Sequence, residues 1–516
     1  MKKSILFIIT ACFLFTSSCS DFLDEEHKTK YSSEYVFGTP EGLKLAVNAL
    51  YALQRYYAND TENATIFALE RGTDLAVTNG GTGNFYGIYD PNYLKPSASQ
   101  VGFMWRTMYQ IIGKANEIIA AAEDLEDTPS LRATVSEAKC FRAQSYFLLY
   151  RTFDRIWLNM LPTTAENVND PRDFHAASEK EVFELIYEDL EYAITNLDWV
   201  SDEAGRFTQA AARHMKAKAA LWLKDWDTTL EQVEEIEKSG HFDLIALNEV
   251  FNAGDLNHKE ALMVQQWSKN PGGNLSNATP KGNYYAAYFI AQYRTEIGGT
   301  AEYACSYDNW GYTYGRCLPS PYLFSLYDKA KDKRYQEYYI HQYKNTTDKN
   351  ITYGSATVKP GDYFPLYKNG SINKNVYPGC IKYGDKWTRT ASETRSYKDV
   401  IVYRLAESYI MVAKYYFNKT WERAGNNKFT GMLTMKDIMD EQARELSFEG
   451  DRWYFLKRLG ILIEQVKAYA GDPEIPASIL GRNNLPANPH FVRWPIPEAE
   501  VINMGAENFP QNVGYK

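Results

Sequence analysis

The run T-Q-A-A-A-R-H-M-K-A-K-A-A-L-W-L-K-D-W-D-T-T-L-E-Q-V-E-E-I, residues 208–236, settles the fold class. Thr208 supplies an oxygen to cap the helix behind it, and the alanines from Ala210 to Ala220 make that helix thin enough for close packing. The polar turn Lys224-Asp225-Trp226-Asp227 ends it, and T-T-L-E-Q-V-E-E-I opens a second, amphipathic helix. A small-residue helix, a short turn carrying an aromatic and an amphipathic partner read as a tetratricopeptide-like hairpin.

The pattern extends both ways. Ser178-E-K-Glu181 is a capping box, and Val182, Leu185, Ile186, Leu190, Ala193, Ile194 and Leu197 behind it keep the spacing of one buried face. Similar helices are expected at Gly42–Tyr56, Val101–Ala122, Leu131–Phe153 and Ser396–Phe417. The copies do not align at the roughly 34-residue period of regular repeats. The expectation is therefore an all-α scaffold of paired helices over about 40–240 and 396–470. Between about 241 and 395 the texture turns to Gly, Asn, Pro, Tyr and Lys, with turn-rich stretches such as N-P-G-G-N-L-S-N, D-N-W-G-Y-T-Y-G and K-N-G-S-I-N-K-N. A smaller insertion of this kind covers 78–100. Loops on a rigid helical frame are where binding tends to reside.

The N-terminus addresses the chain. Lys2 and Lys3 precede an apolar run of eleven residues, Ile5 to Phe15, and Thr16-Ser17-Ser18 lead to Cys19. The run is well short of the roughly 20 apolar residues that span a bilayer, so it reads as a removable signal over 1–18 with acylation at Cys19. Ile9-Thr10-Ala11-Cys12 has a similar order, but cleavage there would leave too short an apolar run and an apolar mature start. Losing residues 1–18, with two lysines and no acid, takes the formal charge from −9 to −11. An acidic chain argues against nucleic acid and against adhesion to anionic head groups, leaving the lipid as the membrane attachment. The remaining Cys140, Cys305, Cys317 and Cys380 show no C-x-x-C, and the seven histidines are scattered, so no metal or cofactor is expected. Cys140 reads as a small buried hydrophobe. Cys305 and Cys317 are compatible with a loop-closing disulfide or with two free thiols.

The C-terminal third carries a resemblance. D-E-Q-A-R-E-L-S-F-E-G-D-R-W-Y-F-L-K-R-L at 440–459, R-W-P-I-P-E-A-E at 493–500 and P-Q-N-V-G-Y at 510–515 resemble the SusD/RagB family of outer-membrane nutrient-binding lipoproteins. S-E-A-K-C-F-R-A-Q-S-Y-F-L-L-Y-R-T-F at 136–153, Y-K-D-V-I-V-Y-R-L-A-E-S-Y-I-M at 397–411 and C-S-D-F-L-D at 19–24 agree with that family's helices and mature start. Two departures touch scaffold: Phe455 stands where many members carry an acid, and the chain end lacks the usual prolines. The resemblance implies one SusD-like domain over 19–516, with about four tetratricopeptide-like hairpins packed on a loop-rich part. It also implies a lipid-anchored cell-surface protein that captures an oligosaccharide and passes it to a SusC-like TonB-dependent transporter, without catalysis.

A neutral sugar offers hydroxyls and flat C–H faces, so a binder needs aromatic platforms and a few planar hydrogen-bonding groups. Among the tryptophans, Trp105, Trp222, Trp226, Trp421 and Trp453 fall in helical patterns or their turns, Trp494 in the terminal motif, and Trp157 and Trp199 just past helix ends. That leaves Trp267, Trp310 and Trp387 in irregular segments. Trp310, Tyr312, Tyr314 and Arg316 occupy alternate positions of D-N-W-G-Y-T-Y-G-R and would share one face if extended. The insertion N-G-G-T-G-N-F-Y-G-I-Y-D-P-N-Y offers Asn84, Tyr86, Tyr89 and Tyr93, with Tyr86 or Tyr89 equally suited to pinning the loop. The starch-binding relative implied by the resemblance uses comparable loops. Asp74 and Arg71 are suited to sugar hydroxyls or to pairing with each other. A helical glycoside hydrolase would need two carboxylates within about 10 Å, but Glu445, Glu449 and Arg452 read more simply as helix-surface ion pairs. Peptide cargo on the same fold is a further alternative, and a generic tetratricopeptide adaptor leaves the anchor and the large insertion without a role.

Overall fold

A computed structural model describes residues 31–59, 69–78, 88–164, 166–252, 254–270, 282–297, 305–475 and 485–516. Residues 1–18, Cys19, Asn84 and Tyr86 lie outside them.

Among the described residues, six long helices build the first half: α1 Pro40–Asn59, α2 Ser99–Ala122, α3 Pro129–Phe153, α4 Glu179–Asn196, α5 Gln209–Trp222 and α6 Trp226–Lys238. Each packs on the next in order. Their ends follow from local chemistry. Thr128 Oγ1 accepts the Leu131 N–H with Pro129 at the first helical position, and Ser178 and Glu181 close a complete capping box. Thr208 accepts from Ala211 N–H, and Asp225 caps α6 from within the short turn. Ala210, Ala211, Ala212, Ala217, Ala219 and Ala220 are all fully buried, which lets α4, α6 and α7 (Leu405–Met411) approach α5 closely.

One expected element differs. Residues 396–417 do not form a single helix: Val400–Arg404 is strand β4, paired antiparallel with β2 (Ala261–Gln265), and only then come α7 and α8 (Ala413–Arg423). Three β-branched residues in a row, Val400, Ile401 and Val402, disfavour helix and fit a pleated surface when a partner strand is present. The described strands elsewhere are short two-stranded ladders, including β1 (Ala76–Thr78) against β3 (Cys317–Pro319). The chain then continues through α9 (Met435–Leu446), α10 (Arg452–Arg458) and α11 (Leu462–Tyr469).

The main core runs through α1–α5 and takes in Trp453, Leu456, Trp494 and Phe509 of the C-terminal motifs. Those motifs close on α3: Asn512 donates to the Phe153 and Trp494 carbonyls, and Trp494 N–H donates to Thr152 O at 2.9 Å. The central segment has its own cores, rich in tyrosine: one gathers Tyr285, Tyr288, Tyr338, Tyr339 and Phe448, another Tyr293, Tyr343, Tyr353 and Tyr377. Cys140, Cys305, Cys317 and Cys380 are free thiols.

Candidate functional site

The loop 305–316 is built to present alternate side chains. After the turn Tyr307–Asn309, Trp310 takes a left-handed backbone with φ +66, followed by Gly311 at φ +79. A bulky residue there is strained, so surrounding bonds must hold it. Arg389, buried, supplies them: its guanidinium donates to the carbonyls of Trp310 (2.9 Å), Tyr312 (3.3 Å) and Glu393 (2.9 Å). Tyr293 Oη donates to Gly311 O at 2.9 Å, and Thr313 Oγ1 to Ala291 O at 2.6 Å. Tyr314 N–H and Arg316 N–H reach the carbonyls of Ala287 and Tyr288. Gly315, at φ +59, lies so close to Ala291 that a Cβ would come within 2.8 Å of its Cα.

Gly311, Thr313, Gly315 and Cys317 are buried, whereas Trp310, Tyr312, Tyr314 and Arg316 are half-buried. The Trp310 ring lies across Gly384, where a Cβ would meet it at 2.3 Å, and the Lys386 amine sits 3.9 Å from its ring centre. Tyr312 and Tyr314 pack edge to face at 5.4 Å. The row continues through Tyr288, 6.3 Å from Tyr314, to Tyr284, stacked on Tyr288 at 5.7 Å. Arg294 stacks on Tyr312 at 4.0 Å, Arg316 lies 5.6 Å from Tyr314, and Arg395 lies 4.8 Å from Tyr284. Partial burial raises the Tyr314 hydroxyl above the ordinary tyrosine range, so it stays a neutral donor and acceptor at neutral pH. Sequence reading missed Tyr284, Arg294, Lys386 and Arg395. The spacing of Tyr284 and Tyr288 was a visible signal, whereas Lys386 and Arg395 come from a segment distant along the chain.

Other candidates have different places. Tyr89 is 3% exposed, donates to the Gly72 carbonyl and packs edge-on against Phe491, so it pins its loop to the core. Asp74 is fully buried and pairs with Arg452 through two bonds of 2.9 and 2.6 Å, with Gln465 adding a third. It neither faces solvent nor pairs with Arg71, itself buried. Trp267 is buried, its indole N–H on Gln265. These three corrections share a cause: irregular sequence does not mean surface when the irregular chain has a core of its own. Trp387 is 43% exposed, and Tyr93 is half-buried. A groove of about 460 Å³ between α5–α6 and α8–α9, lined by Trp222, Trp226 and Tyr415 among others, contains none of the ligand-binding candidates read from sequence.

Glu445, Glu449 and Arg452 are not helix-surface pairs, since Arg452 is buried on Asp74. Glu445 is fully buried among Arg334, Arg404 and Arg423, Glu441 pairs with Arg334, and Glu449 bridges Arg404 and Lys382. Burial alone would raise the Glu445 carboxyl, but Arg423, Arg404 and Arg334 hold it well below the usual carboxylate range. Among the described residues, no group of three or more His, Cys, Asp or Glu could hold a metal ion, and no helix is long and apolar enough to cross a membrane.

Residues 259–515 match the SusD family model, and residues 21–221 match the model described as starch-binding associating with outer membrane. The chain belongs to the SusD family. A SusD-like protein of Bacteroides ovatus is 24% identical, covering 88% of this chain and 82% of its own. Among solved structures, a SusD homolog from Bacteroides thetaiotaomicron superposes with TM-score 0.73 at 17% identity, covering 94% of this chain and 99% of that one. A laminarin-binding SusD-like protein superposes with TM-score 0.68 at 20% identity, covering 92% and 99%. The mostly helical architecture with a loop-rich central body is thus the SusD fold.

Proposed function

We propose that this SusD-family chain is a non-catalytic glycan-binding lipoprotein of the outer-membrane surface, anchored through Cys19, that hands oligosaccharide to a SusC-like TonB-dependent transporter. The observation that carries the reading is the pinned loop 310–316, which leaves Trp310, Tyr312, Tyr314 and Arg316 half-buried at alternate positions while the residues between them are buried. Aromatic faces bind sugar C–H surfaces, and their hydroxyl and guanidinium edges bind sugar oxygens. The starch-binding description of the N-terminal family model and the laminarin-binding structural relative support a glycan as the cargo. Among the described residues, the clustered acids Glu260, Glu441 and Glu445 are buried and paired with arginines, an arrangement unlike a hydrolase's carboxylates flanking a cleft.

The test compares the chain with its Trp310→Ala and Tyr312→Ala variants by calorimetry on a panel of oligosaccharides. Folding should be intact and affinity for the bound glycan should fall about tenfold or more. Unchanged binding would remove this loop as the site. In cells expressing the full-length chain, Cys19→Ala should move the protein from the membrane to the soluble fraction; retention would exclude the anchor.

A further inference from the structure

The aromatic row carries cations at both ends and in the middle. Arg294 lies over Tyr312, Arg316 near Tyr314, Arg395 over Tyr284 and Lys386 over Trp310. Among the described residues, no carboxylate forms a salt bridge with Arg294, Arg395 or Lys386, and Arg294 Nε is buried without a hydrogen-bond partner. The nearby acids are already engaged: Glu393 with Lys269 at 2.9 Å, Glu296 with Lys368 at 2.7 Å, and Asp385 with bonds from the Trp387 and Thr388 amides and Ser396. Asp308 lies 3.8 Å from Lys344. This donor-rich strip sits on a chain whose formal charge is −9.

Neutral sugar hydroxyls both donate and accept, so a site for them mixes carboxylate or amide acceptors with donors. Here the charged groups along the row are donors only. A guanidinium stacked on a ring keeps its edge N–H groups free for two parallel bonds to a planar anion. We infer that the ligand is an anionic oligosaccharide, bearing carboxylate or sulfate groups, whose sugar faces lie on Trp310, Tyr312, Tyr314 and Tyr284 and whose charges meet Arg294, Arg395 and Lys386. The inference rests on the reading of this loop as a glycan site and narrows its cargo.

The experiment titrates the mature full-length chain with hexagalacturonate, a sulfated galactan hexasaccharide, maltohexaose, laminarihexaose and a glutamate hexapeptide. At least one of the two charged glycans should bind more tightly than both neutral ones, and which of them does so identifies carboxylate or sulfate. Its affinity should fall about tenfold or more in Arg294→Gln/Arg395→Gln and weaken as salt rises from about 0.05 to 0.5 M. Arg294→Lys/Arg395→Lys should recover part of the loss, and circular dichroism should show both variants folded. Tighter binding of maltohexaose or laminarihexaose, lost in Trp310→Ala but unchanged in the arginine variants, would overturn the anionic cargo and leave the glycan reading standing. Preference for the peptide, or no binding by any glycan, would overturn both.

Discussion

The helical scaffold and the loop-rich body solve the same problem by different means. In α3–α6 the backbone groups pair within each helix, so the side chains need only supply an apolar face, and alanine, leucine and isoleucine do so. In the central body most of the chain is irregular, and its buried carbonyls need donors from elsewhere. Buried cations provide them. Lys398 Nζ donates to Phe251 O and Gly384 O, and Arg389 to the carbonyls of Trp310 and Tyr312, while Lys382 Nζ reaches out of the body to Glu445 O and Ser447 O at the end of α9. Arg404 completes the set, reaching Glu260, Glu445 and Glu449. The lesson is that a scaffold can be held by many small, local terms, whereas an irregular binding body depends on a few long-range charged groups.

The sharpest way to break that contrast is Arg404→Met. It leaves three carboxylates short of a counter-charge, and removing one partner of a buried ion cluster costs about 3–5 kcal/mol. Denaturant unfolding should show that loss, with protease cleavage within 305–395 preceding cleavage of the helices. A loss below about 1 kcal/mol would mean the loop body does not rest on these ions.

A middle-sized effect belongs to Glu70, where the Gly450 N–H of the C-terminal motif meets the entrance to β1. Burial pushes its carboxyl up to about 8, with the Gly450 bond pulling the other way. The folded chain then holds a proton that the unfolded chain releases near 4.5, so this group's contribution is full below about 4.5 and is lost as pH rises through about 8. Glu70→Gln is neutral throughout and should flatten the decline. Its Tm should exceed that of the unmodified chain at pH 8.5 and lie within about 2 °C of it at pH 4.5. Parallel Tm profiles for the two proteins would show that Glu70 is ionised in the fold.

The smallest effect tests the scaffold side. Ser178→Ala removes one oxygen of the α4 capping box and should cost about 1 kcal/mol without altering ligand affinity at the distant loop. Any change in affinity would show that the two regions are not energetically separate.

How legible each region was follows from the same difference. α4, α5 and α6 could be read from residues 178–236 alone, because caps and apolar faces act within a few positions of one another. The 396–417 stretch could not, because β4 exists only where β2 pairs with it. Trp310, Tyr312, Tyr314 and Arg316 were visible as an alternating set within one loop, whereas Asp74, Tyr89 and Trp267 looked available but were claimed by Arg452, Gly72 and Gln265. By itself, then, the sequence determined the helical class, the family resemblance and the row of aromatics. Only the tertiary structure decided which irregular residues were buried, which acids were neutralised, and that Arg294, Lys386 and Arg395 would converge on that row. The reason is range: caps and periodicity are local, whereas burial and charge pairing join residues hundreds of positions apart, as Asp74 and Arg452 do.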